Sequence, residues 1–156
     1  MPASRTGTRQ ENRYTMDIDD FYRGVVEDTS DAILFSDAEG IIRFWNAGAE
    51  RIFGFTSQEA IGKSLDIIVP QALRARHWQG YAATMRSGKT RYGSGELLAV
   101  PALRKDGTRI SVEFSIIPFR DDANAMIGIA AVMRDVTARF EELKTLRRAL
   151  SAPLQG

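Results

Sequence analysis

The segment formed by residues 104–142 constrains the fold more than any other part of the chain. It opens with a charged turn at residues 104–107. Apolar side chains then occupy every second position of the next stretch, at Ile110, Val112, Phe114 and Ile116, with polar residues between them. This period of two predicts a strand with one buried and one more solvated face. A polar break at residues 121–124, a second apolar run over residues 126–133 and an amphipathic helix complete the segment.

The upstream sequence predicts two further strands and several helices. Asp17 is suited to cap a helix that carries Phe21, Val25 and Val26. Residues 32–36 and 41–45 read as a hairpin, Asn46 as the cap of a short helix, and residues 70–88 as a longer helix that ends at a glycine. Residues 90–103 then read as a strand. This order predicts an α+β fold: a five-stranded antiparallel sheet with short helices on one face and flanking N- and C-terminal helices.

Length and composition fit one small domain. We expect the 156 residues to divide into a disordered N-terminal tail at 1–15, one folded domain at 16–136, and a C-terminal amphipathic helix and tail at 137–156. A net charge of +1 gives no bulk attraction for nucleic acid or for an anionic membrane. The absence of cysteine excludes thiolate chemistry and is compatible with a cytoplasmic protein. No nucleophile–base pair or phosphate-binding loop is evident, so we expect no enzyme activity.

Seven short motifs, in order, resemble those of PAS sensor domains. They lie at residues 37–40, 44–50, 53–55, 59–63, 69–70, 104–107 and 135–137. The resemblance covers about residues 21–136 and implies the PAS fold, with its five-stranded sheet. It also implies a sensory or signal-transduction module that binds a small ligand or a partner protein.

The helix after Pro70 contains the candidate cofactor site. Leu73, His77, Tyr81 and Met85 recur every four residues, which predicts that His77 points into the core, with Trp78 beside it. Haem-binding PAS domains carry a histidine on this helix, so the resemblance makes His77 the candidate axial ligand and the only candidate metal ligand. In those relatives the histidine stands three residues before a tyrosine, whereas here it stands four before Tyr81. If Tyr81 sets the register, Trp78 takes the ligand position.

Other ligands remain open at the same site. Leu97 or Leu98 takes the place of the arginine with which oxygen-sensing relatives bind the gas. Flavin is a weaker candidate cofactor, with contacts from Trp45, Asn46 and Trp78. The least specific alternative is an apolar pocket for a small organic molecule, lined by Ile67, Leu73, Tyr81 and Leu98.

The pattern of the C-terminal helix indicates that the chain forms a homodimer and has a signalling partner. Val136, Phe140, Leu143 and Leu150 follow a spacing of three and four, which is typical of a short coiled coil or of a helix folded back on its sheet. With the N-terminal helix it predicts a homodimer in which flanking helices cover outer sheet residues such as Ala130 and Val132. The expected partner is a signalling protein such as a kinase or a transcription regulator. A ligand-free dimerisation or adaptor module is a further alternative.

Overall fold

The computed structural model describes residues 15–89 and 98–153. Outside the described residues lie residues 1–14 of the tail predicted at 1–15 and residues 90–97 of the strand predicted at 90–103, including Leu97. The helices are α1 (Ile18–Asp28), α2 (Ala47–Phe53), α3 (Ser57–Ala60), α4 (Arg74–Ser87) and α5 (Thr137–Ser151). The strands are β1 (Ala32–Asp37), β2 (Ile42–Trp45), β3 (Leu98–Leu103), β4 (Arg109–Arg120) and β5 (Met126–Asp135).

The five strands form one antiparallel sheet in the order β2-β1-β5-β4-β3, which confirms the predicted fold class. The last strand, β5, lies in the middle because both the N-terminal hairpin and the β3–β4 pair align on it. As a result, the start of β1 lies beside the end of β5, where Ala32 pairs with Met133. The chain therefore enters and leaves the sheet at the same end.

The core fills the space between the sheet and the short helices. Its largest fully buried side chains include Phe53, Leu34, Ile42 and Val112. The predicted alternation in β4 is confirmed: Ile110 and Val112 are buried, and Arg109 is exposed. Phe114 is half-buried rather than fully buried.

Most of the residues that we expected to cap or end a helix lie at the observed helix ends. The Asp17 carboxylate accepts a hydrogen bond from the Asp19 backbone N–H, and Gly54 and Gly88 end α2 and α4 in the left-handed conformation. The start of α4 differs from the prediction. Pro70 precedes a 3₁₀ helix at Gln71–Leu73, because the Leu73 N–H bonds the Pro70 carbonyl, and the α-helix begins only at Arg74.

Large apolar side chains remain on the outside of the fold. On the outer sheet face Ile117 and Phe119 are exposed, and Ile127 is exposed at the break in register between β4 and β5. Ala130, which we expected a helix to cover, is already only 9% exposed. Neither α1 nor α5 has a buried residue. Within the described ranges, no helix combines the length and the apolar character that crossing a bilayer requires.

Candidate functional site

Three aromatic side chains of α4, His77, Trp78 and Tyr81, form a contiguous group that we call the α4 aromatic cluster. The Trp78 ring centroid lies 4.9 Å from that of His77 and 5.4 Å from that of Tyr81, both in edge-on arrangements. The His77 and Tyr81 centroids are 6.0 Å apart. Trp78 and Tyr81 pack against the hydrophobic core, so the structure brings together the three helix residues that the sequence singled out.

Trp78 closes the cluster against the β1–β2 hairpin. Its indole ring lies on Gly40, where a Cβ atom would come within 2.3 Å of two ring carbons. The indole Nε1–H donates to the Asp66 Oδ1 atom at 2.8 Å. Arg74 in turn donates to the Asp66 backbone carbonyl at 3.2 Å. Trp78 is therefore fixed by both packing and a charge-assisted hydrogen bond.

Tyr81 connects the helix to the end of β1. Its hydroxyl group forms a hydrogen bond with the Ser36 Oγ atom at 2.9 Å and donates to the Asp37 backbone carbonyl. Burial raises the pKa of Tyr81, so the phenol remains protonated at neutral pH. Through this residue, a displacement of α4 would act directly on β1.

His77 has the one unsatisfied buried polar atom among the side chains of residues 15–89 and 99–153. Its Nδ1 atom is buried and has no hydrogen-bond partner. Burial lowers the pKa of His77, and the negative charge of Asp66 opposes this shift only in part. The imidazole is therefore neutral at pH 7, the form that can accept a hydrogen bond or bind a metal. An unpaired buried nitrogen costs free energy that a bound group could recover.

Trp45 and Asn46 make contacts that stabilise the fold at another position in the domain. The Trp45 Nε1–H donates to the Phe55 carbonyl at 3.0 Å, and its ring packs on Phe53. The Asn46 side chain makes four hydrogen bonds to backbone groups of three segments. Its hydrogen-bonding groups are thereby already engaged, so the structure gives both residues a structural role. Neither belongs to the α4 aromatic cluster.

The remaining predicted pocket residues lie on three separate segments of the chain. Ile67 packs against the core and Leu73 is half-buried, while Leu98 begins β3 and pairs with Phe114 in the sheet. Ile67 also lines a surface groove of about 260 Å³ with Phe55, Glu59, Lys63 and Lys105. This groove holds none of the three cluster residues.

The nitrogen of His77 suits a haem iron, but the packed rings around it leave no room for a porphyrin. His77 offers an unpaired nitrogen on a neutral imidazole. The rings of Trp78 and Tyr81, however, lie directly against that imidazole. A porphyrin beside His77 would have to displace at least one of them, so the cluster as packed does not accommodate haem.

Sequence reasoning missed two residues that shape the site, Gly40 and Asp66. Gly40 has a φ of +76°, and its place in the predicted Asp-Ala-Glu-Gly turn was the signal for that conformation. That a ring packs on it could not be deduced from the turn. Asp66 offers no local signal, because its contact with Trp78 spans 12 residues of chain.

Comparison with known proteins identifies the family. The sequence profile described as "PAS domain" matches residues 30–138. The chain is 30% identical over 129 residues to Sensor protein FixL of Bradyrhizobium diazoefficiens, covering 79% of this chain and 25% of that protein. It is 24% identical over 132 residues to Oxygen sensor protein DosP of Escherichia coli, covering 85% of this chain and 16% of that protein. The chain thus spans a quarter or less of the length of these relatives.

Solved structures show the same fold. The PAS domain of a protein from Colwellia psychrerythraea superposes with a TM-score of 0.68 at 23% identity, covering 78% of this chain and 99% of that one. An RNA-binding Light-Oxygen-Voltage receptor gives a TM-score of 0.66 at 20% identity, covering 97% of this chain and 42% of that one. At such identities the likeness shows the fold alone. With the profile match over most of its length, the chain belongs to the PAS domain family.

Proposed function

We propose that this PAS domain senses a small molecule at the α4 aromatic cluster and relays its binding to a signalling partner. The observation that carries the proposal is the buried, unpartnered Nδ1 atom of His77. Polar atoms in a protein interior are nearly always hydrogen-bonded, and the exceptions call for an explanation. A ligand that bonds this nitrogen would supply one.

The side chains around His77 favour a particular class of ligand. Trp78 and Tyr81 offer aromatic surfaces, which attract flat rings in edge-on or offset geometry. The imidazole is neutral, so no charge is needed on the ligand. We therefore assign the site to a small neutral aromatic molecule with one hydrogen-bonding group. Such a ligand would require α4 to move outward, because the rings now contact one another.

The contacts of the cluster provide a route for the signal. Tyr81 bonds Ser36 and Asp37 at the end of β1. At the start of the same strand, Asp31 forms a two-point ion pair with Arg134 at the end of β5, with distances of 3.0 and 2.9 Å. Both flanking helices join the sheet there. We propose a cytoplasmic homodimer, without catalytic activity of its own, whose helices act on a kinase or a transcription regulator.

Ligand binding is tested by thermal unfolding in the presence of phenol, indole and benzimidazole. At least one should raise the unfolding temperature of the wild-type chain in a concentration-dependent way. His77→Phe should abolish this shift, because it removes the hydrogen bond and keeps the ring. Gln79→Ala, on the exposed side of α4, should preserve it. No shift with any of the three molecules, or an equal shift in His77→Phe, would refute this ligand class and site.

Haem is the second candidate, supported by the same unpaired nitrogen of a neutral imidazole. His77 would then be its axial ligand, and binding would require the cluster to open. Titration of the purified chain with haemin tests this. A saturable Soret band lost in His77→Ala and kept in Trp78→Phe supports haem, whereas a spectrum that does not depend on His77 excludes it at this site.

A further inference from the structure

Two helices of this chain join the sheet at the same end and leave their large apolar side chains exposed. α1 leads into β1, and α5 follows β5. Because Ala32 pairs with Met133, both helices join the sheet at the same end, where Arg134 binds Asp31. Neither helix has a buried residue. Their apolar side chains are therefore not covered by each other within one copy.

Each helix presents an apolar stripe to solvent. The N-terminal stripe consists of Met16, Ile18, Phe21, Tyr22 and Val25, which are 48–69% exposed. The C-terminal stripe consists of Phe140, Leu143, Leu146 and Leu150, which are 46–87% exposed. Nine large side chains with about half their surface free offer on the order of 800 Å² per copy, the size of a standard protein interface.

The charges that border the two stripes have opposite sign. In α1, Asp28 follows Val25 by three positions and Asp19 precedes Tyr22 by three, so both border the stripe. In α5, Arg139, Lys144 and Arg147 lie four positions from a stripe residue, as does Glu142, so this border is basic on balance. The acidic border of one helix therefore matches the basic border of the other.

We propose that a second copy of this chain covers these stripes, with α1 of each copy packed on α5 of the other. This interface rests on the homodimer proposed above and specifies how it is built. Since both helices leave from one end of the sheet, a twofold axis at that end forms both α1–α5 contacts at once. Pairing like helices would instead bring acidic borders together in one contact and basic borders together in the other.

Charge reversal tests the interface, with the dimer dissociation constant measured by sedimentation equilibrium. Asp19→Arg/Asp28→Arg should weaken the wild-type dimer roughly tenfold or more, because like charges then meet in both contacts. Lys144→Glu/Arg147→Glu should weaken it similarly. The control Glu39→Arg/Asp122→Arg makes the same change in charge in two exposed turns at the other end of the sheet and should leave the constant nearly unchanged.

Mixing the two stripe variants then identifies which helices meet. In the mixed dimer, reversed α1 faces reversed α5 and native α1 faces native α5, so wild-type affinity should return. Mixing the control variant with Lys144→Glu/Arg147→Glu brings together the same net charges but leaves one contact mismatched, and should not restore it.

Three outcomes would overturn the interface. A wild-type dimer that is insensitive to both stripe variants would refute it and leave the homodimer standing. Equal weakening by the control variant, or equal recovery in both mixtures, would also refute it. A wild-type chain that is monomeric at 100 μM, a concentration chosen to reveal even weak dimers, would remove the homodimer and the interface together. It would not affect ligand binding at α4.

Discussion

Replacing Asn46 by alanine should destabilise this domain more than the loss of an ordinary helix cap. The Asn46 Oδ1 atom accepts hydrogen bonds from the backbone N–H groups of Ile33, at 2.8 Å, and Ala49, at 2.9 Å. Its Nδ2 atom donates to the carbonyls of Val26, at 2.9 Å, and Asp31, at 3.0 Å. One side chain thus joins the end of α1, the start of β1 and the start of α2.

The size of the effect follows from these four bonds. Asn46 is 3% exposed, so water cannot readily replace its side chain. A net value of about 1 kcal/mol for each bond gives an upper figure of about 4 kcal/mol. Some solvation of the Val26 carbonyl would reduce this to about 3 kcal/mol, still a large part of the total stability of a small domain.

Urea unfolding followed by circular dichroism measures the loss. Thr56→Ala is the matched control, because Thr56 also caps a helix but is exposed, and it should cost about 1 kcal/mol. Asn46→Asp keeps both accepting contacts but turns a carboxylate oxygen toward the Val26 and Asp31 carbonyls, so it should not restore the stability of the wild type. A loss below about 1 kcal/mol for Asn46→Ala, or one no larger than that of Thr56→Ala, would refute the reasoning.

Three further predictions concern the site and the sheet end. Gly40→Ala should cost on the order of 2 kcal/mol and change the tryptophan fluorescence, because its Cβ would meet the Trp78 ring and its φ is +76°. Burial lowers the pKa of His77 in the fold, so the free energy of unfolding should fall as the pH drops below 6.5, and His77→Phe should remove the part of this loss that begins there. The hydrogen bond from Arg134 lowers the pKa of Asp31, so its contribution is present above pH 3.8 and lost below it; Asp31→Asn should flatten the acid limb of the stability curve.

Much of the fold could be predicted because its signals are local. The alternation in β4 depends only on which side of a strand each residue faces, and Ile110 and Val112 are buried as expected. The caps at Asp17 and Asn46 and the glycine at position 54 act within a few residues of the helix ends that they define. Such features survive folding because the tertiary structure reinforces them.

The site itself could be located but not described in detail. His77 and Trp78 are adjacent, and their side chains point about 100° apart on a helix, so a small rotation decides which of them faces the core. The sequence left both alternatives open. Packing against Gly40 and the bond to Asp66 place Trp78 against the core, with His77 half-buried beside it. These contacts are distant in sequence and carry no periodic signal.

Nuclear magnetic resonance of the two indole N–H groups tests the sensing proposal most directly. Trp45 donates to the Phe55 carbonyl and Trp78 to the Asp66 carboxylate, so the two groups report on separate places in one spectrum. Trp78→Phe assigns the signals. Titration with phenol, indole and benzimidazole should shift the Trp78 signal to saturation with at least one of them and leave the Trp45 signal nearly in place. An unchanged Trp78 signal throughout, or equal shifts of both signals, would contradict a ligand site at the α4 aromatic cluster.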